Sequence, residues 1–198
     1  MYHVPLFESQ HLRLTSIDLD KDAQVIASWT DALDMAAKLR EDHPARPMAT
    51  IEVRKMYERI QKESDEYRRQ FLFAIRLHDT LSEDQNPVIG VMRIKHIEYV
   101  HGASFLDLIL ADPQNWQTYA REALELALCY AFEELNLFRV TAVVASHNHM
   151  ASQLFEQANF TLEVRQREAV YWENKFWDKL FFGILRPEWK MQQAEVLA

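Results

Sequence analysis

Two carboxylates stand where they could move a proton. Asp107 interrupts an otherwise apolar run over residues 105–110, so its side chain is expected to be partly buried, a setting that suits a general base. Glu168, directly after Arg167, is the second candidate. Each has a structural alternative: Asp107 can pair with Arg93 or Lys95 on a neighbouring strand, and Glu168 with Arg165 or Arg167. His147 and His149 form a His-x-His, but no Cys, Asp or Glu stands at ligand spacing, so they read as a surface pair and no metal is expected. The single cysteine, Cys129, can form neither an internal disulfide nor a thiolate metal site alone. Asn148 precedes a helical stretch and reads first as its cap.

The elements that must position these groups follow from periodicity. Residues 11–15 alternate as a strand, and 18–29 and 31–39 are helical. A loop with Pro44 and Pro47 covers 41–48. Thr50 caps a helix running to Tyr67. Strands at 71–77 and 88–97 flank a polar turn over 79–87, and a strand at 105–110 is stopped by Asp112-Pro113. A helix over 118–135 carries an apolar stripe three to four residues apart. Beyond it come a strand at 139–145, a helix at 150–158, and strands at 160–167 and 176–185. The order β-α-α-β-β-β-α-β-α-β-β combines hairpins with one β-α-β unit. It predicts an α+β (mixed α/β) fold on a mixed, mostly antiparallel sheet.

The 198 residues suit a single domain over 1–198, with no repeat or linker. Acidic residues outnumber basic ones, 30 to 22, for a net charge of −8. Neither DNA nor an anionic membrane is therefore expected as the main partner. The start is not a secretory signal, and no apolar run approaches the ~18 residues of a membrane helix. A cytoplasmic protein is expected. Only three glycines occur, Gly90, Gly102 and Gly183, which disfavours any glycine-rich phosphate loop.

Several motifs fall in a recognisable order. They are His11-Leu12-Arg13-Leu14, Asp112-Pro113-Gln114-Asn115-Trp116, Glu122-Ala123-Leu124, the run from Tyr130 to Leu137, the run from Asn148 to Phe160, Arg167-Glu168-Ala169, Trp177-Asp178 and Pro187-Glu188-Trp189. Together, over about residues 10–190, they resemble the GCN5-related N-acetyltransferase (GNAT) superfamily, nearest its ribosomal-protein alanine acetyltransferases. The resemblance implies a splayed central sheet flanked by helices, with acetyl-CoA as co-substrate and no metal. It also implies direct acetyl transfer to a primary amine, either a protein N-terminus or a small molecule.

The same resemblance implies where the donor lies. Pantetheine would run along Leu108, Ile109 and Leu110. Its pyrophosphate would sit on a loop of Gln117, Thr118, Tyr119, Ala120 and Arg121 ahead of the central helix. Asn148 would bond a pantetheine amide. Phe155 stands where many members carry a proton-donating tyrosine, and Ser152 lies one position after a serine used in the ribosomal branch. The loop lacks the family's glycines and is one residue short after Trp116. Glu41, Asp42 and His43 could border the acceptor entrance. Trp172, Phe176, Trp177, Phe181 and Phe182 read as core or as the face of a homodimer. The rival reading is a GNAT-fold binding or dimerisation module that has lost catalysis.

Overall fold

The computed structural model describes residues 6–39, 44–78 and 87–196, with side chains to 192. Of the turn expected over 79–87, residues 79–86 lie outside the described residues, as do Glu41, Asp42 and His43. The elements are β1 (Leu12–Thr15), α1 (Asp22–Trp29), α2 (Leu33–Leu39), α3 (Thr50–Tyr67), β2 (Phe71–Leu77), β3 (Val88–Glu98) and β4 (Ala103–Leu110). They continue with α4 (Pro113–Cys129), a π-helical turn (Tyr130–Glu134), β5 (Arg139–Ala145), α5 (His149–Gln157), β6 (Thr161–Trp172), β7 (Lys175–Leu185) and α6 (Arg186–Val196). Backbone pairing orders the strands β1-β2-β3-β4-β5-β7-β6. The fold is mixed α/β on an open sheet: β4–β5 is parallel, whereas β1–β2, β5–β7 and β6–β7 are antiparallel. Among the described residues, no helix is long and apolar enough to cross a membrane.

The chain divides into two compact units. The first contains the residues up to Arg93 together with Leu108–Leu126. In β1, alternate residues Leu12 and Leu14 are buried, in register with Leu77 and Ile75 of β2. Helix α3 buries Val53, Tyr57 and Ile60, spaced four and three apart, against Ile26, Ala74 and Val91. Thr50 is the first residue of α3 and not its cap. The cap is Ala49, whose N–H donates to the Glu52 carboxylate at 3.0 Å, the reach-back half of a capping box. Asp22 is 2 % exposed, yet its carboxylate accepts the Asp18 N–H at 2.8 Å and Arg76 Nη2 at 2.6 Å. Gly90 sets the spacing of β3 and β4, since a Cβ there would lie 2.4 Å from the Ile109 carbonyl oxygen.

The second unit contains Ile94–Asp107 and the chain from Ala127 onward. Its core includes Phe155, stacked at 6.0 Å on Phe182 of β7 and edge-on at 5.0 Å to Phe160. Phe132 of the π-helical turn meets Trp189 of α6 at 5.3 Å. The Pro187-Glu188-Trp189 motif lies in helix α6, past the last expected strand. Glu188 reaches back to accept the Leu185 N–H at 2.8 Å, which starts a helix, and proline is tolerated in a first turn. Helices α1, α2 and α3 realise the helical stretches expected over 18–29, 31–39 and 50–67.

Candidate functional site

The start of α4 differs most from expectation. The resemblance implied a loop over 117–121 ahead of the central helix, and periodicity started that helix at 118; the helix, α4, begins at Pro113 and includes all of these residues. The Trp116 N–H already donates to the Asp112 carbonyl at 2.9 Å. From there on, helical pairing uses the backbone N–H groups of Gln117, Thr118, Tyr119, Ala120 and Arg121. The Asp112 carboxylate accepts the Gln114 N–H at 2.6 Å, and Pro113 has no N–H to offer. Gln117 and Thr118 are exposed, and Ala120 is 2 % exposed. The Arg121 guanidinium is bound to Glu125, one turn on, at 2.9 and 3.1 Å. The shortening after Trp116 is thus absorbed by continuous helix, which needs no glycine.

Strand β4 presents the second feature. It pairs with β5 only over Ala103–Leu106 and Arg139–Ala142, although β4 runs on to Leu110 and β5 to Ala145. Leu108 and Ile109 are half-buried and Leu110 is buried. Asp107, the first residue past the last pair, is half-buried, and its Oδ2 lies 2.6 Å from Lys95 Nζ. The structure therefore realises one of the two ion pairs that the sequence offered.

In the second unit, Asn148 caps α5: its Oδ1 accepts the Ala151 N–H at 3.2 Å, leaving the amide NH2 as a donor to something else. Phe155 is 4 % exposed, with its ring committed to the core. The Ser152 hydroxyl is buried with no hydrogen-bond partner among the described residues. Glu168 is exposed, with φ 52°, inside an irregular stretch of β6 between Gln166 and Val170. Asp178 holds that stretch, accepting the Glu168 N–H at 3.0 Å and Arg165 Nη1 at 2.9 Å. The Glu168 N–H and the Arg165 guanidinium hold the Asp178 carboxyl below its usual range. Arg165 thus serves Asp178 and not Glu168.

The acetyltransferase (GNAT) domain family matches residues 11–161, most of the chain. The chain belongs to the GNAT acetyltransferase family. A spermidine N(1)-acetyltransferase of Vibrio cholerae is 26 % identical over 124 residues, covering 60 % of this chain and 72 % of that one. A Bacillus subtilis protein with a provisional ribosomal N-acetyltransferase name is 24 % identical over 101 residues, 51 % of this chain and 55 % of its own. Among solved structures, the V. cholerae spermidine N-acetyltransferase in complex with CoA and spermine superposes with a TM-score of 0.75 at 21 % identity. It covers 92 % of this chain and 99 % of that one.

This acetyltransferase is thus an acetyl-CoA-dependent enzyme whose own residues fit the two ends of that donor unequally. Beyond Leu106 the β4 edge is no longer in register with β5, and the main chain of Leu108–Leu110 suits the amides of a pantetheine arm. The helix start offers a diphosphate at most the Asn115 N–H, beside the Asp112 carboxylate. That end does not fit.

Sequence reasoning missed three residues. Glu122 of α4 accepts the His11 N–H at 2.7 Å and meets His11 Nδ1 at 3.0 Å. Burial raises its carboxyl, but hydrogen bonds from Ser9 and from the backbone and ring of His11 outweigh that and hold it below the usual range. Asp178 is the second. His147 is the third: it is no surface group, being stacked on Trp172 at 5.7 Å and edge-on to Trp177 at 5.4 Å. Each contact spans at least ten residues of chain, beyond the reach of local spacing.

Proposed function

We propose that this enzyme acetylates a small cationic primary amine of the polyamine class. The observation that carries the reading is the match to a spermidine N(1)-acetyltransferase over 60 % of the chain. The net charge of −8 supports it, because an acidic protein draws a polycation. Transfer needs the amine neutral, so a carboxylate must take its proton. Asp107 fills that role in this reading, and Glu168 is the alternative base. Leu108–Leu110 hold the donor's amides, the Asn148 NH2 adds one hydrogen bond, and the departing sulfur takes up a proton equivalent to the one the base received.

A ribosomal-protein N-terminus is the second reading, favoured by the Bacillus subtilis relative. Self-association accompanies either. The V. cholerae enzyme is described as dodecameric, and the β6–β7 hairpin here exposes Val164, Tyr171 and Phe176. Both points are tested on one preparation, by acetyl transfer to spermidine, spermine and an alanine-initiated peptide, with light scattering for mass. Polyamine turnover at least about tenfold above the peptide in kcat/KM, a difference of about 1.4 kcal/mol, is expected from an oligomer. Peptide-only turnover would remove the polyamine reading, and a monomer at micromolar concentration the assembly.

A further inference from the structure

We infer that this enzyme recognises its acyl donor through the pantetheine arm and leaves the nucleotide end unread, so that a pantetheine thioester without adenosine diphosphate serves as well as acetyl-CoA. The inference rests on the acetyltransferase reading above and concerns which part of the donor is held.

Four observations at one end of α4 carry it. The helix begins at Pro113, which has no N–H. The next N–H, on Gln114, is taken by the Asp112 carboxylate at 2.6 Å. The Trp116 N–H is on the Asp112 carbonyl, and those of residues 117–121 follow in regular helical pairing. Arg121, the nearest cation along the helix, is held by Glu125. A diphosphate approaching this end meets a carboxylate where other helices present a fan of donors. Gaining two charge-assisted hydrogen bonds would favour CoA over pantetheine by roughly a hundredfold; among the described residues, the start of α4 does not supply them. The β4 edge over Leu108–Leu110 is unaffected, because it uses main-chain groups.

The chemistry is the same with either donor. The amine nitrogen forms a bond to the acyl carbon as the carbon–sulfur bond breaks. The amine proton passes to a carboxylate, and the sulfur leaves on the pantetheine arm as a thiolate that takes a proton from water, to which the carboxylate in turn gives up its own.

The test is calorimetric titration of the unmodified full chain with acetyl-CoA, with S-acetylpantetheine and with adenosine 3′,5′-bisphosphate. We expect the two thioesters to bind within about threefold of each other and the bisphosphate not to bind at millimolar concentration. Acetyl-CoA binding more than about thirtyfold tighter than S-acetylpantetheine would overturn the inference while leaving the acetyltransferase reading intact. Binding of neither thioester would overturn both.

Discussion

A carboxylate 2.6 Å from an ammonium is a different reagent from a solitary one. Lys95 fixes Oδ2 of Asp107 and hence the direction of the carboxyl plane. Such a pair can serve as an oriented base or as a plain strand-to-strand tie, and a single substitution distinguishes them. If Asp107 takes the amine proton, Asp107→Asn lowers kcat by about a hundredfold or more while acetyl-CoA affinity stays within about twofold. Single-turnover kinetics beside calorimetry read the two separately. Undiminished turnover with a lowered melting temperature would make the pair structural. The pairing was open to a sequence reader, because alternation along strands restricts which cations a strand carboxylate can meet. Glu168 was less open, since its conformation is set by Asp178 on the partner strand and not by the adjacent arginines.

At the scale of elements, the start of α4 shows how one signal can be half read. Asp112-Pro113 ends a strand, but aspartate followed by proline is equally a cap followed by the residue best suited to a first helical position. Taking only the first meaning started the helix at 118 and not at 113, and the family resemblance kept 117–121 as loop. The same helix is tied to β1 through Glu122 and His11, residues 111 positions apart. The Glu122 carboxyl is held below its reference value of 4.5 in the folded chain. The tie therefore contributes fully above the unfolded value and is lost as pH falls through the folded one. Urea melts of the parent and of Glu122→Gln should differ by a constant amount above pH ~5 and converge below it. A difference that persists undiminished at pH 3 would mean that Glu122 acts through packing and not through charge.

Across the whole molecule, the fold class was legible because hydrophobic period is a property of each segment separately, and strands at 71–77 and 139–145 needed no knowledge of their neighbours. What was not legible depended on long-range closure, as with the α6 segment that packs Trp189 on Phe132. One global trait has a practical side. With three glycines in the sequence, the chain makes left-handed turns at Arg68, His96, Asn136, Asn159, Glu168, Glu173 and Asn174. Side chains resist that conformation, by about 1 kcal/mol or more outside asparagine. Arg68, which ends α3 at φ 51°, is the plainest case. Arg68→Gly should raise the urea midpoint by the equivalent of about 1 kcal/mol, and a lowered midpoint would show that its side-chain contacts matter more. Scarce glycine thus marks out, turn by turn, where a hardier version of this catalyst could be engineered.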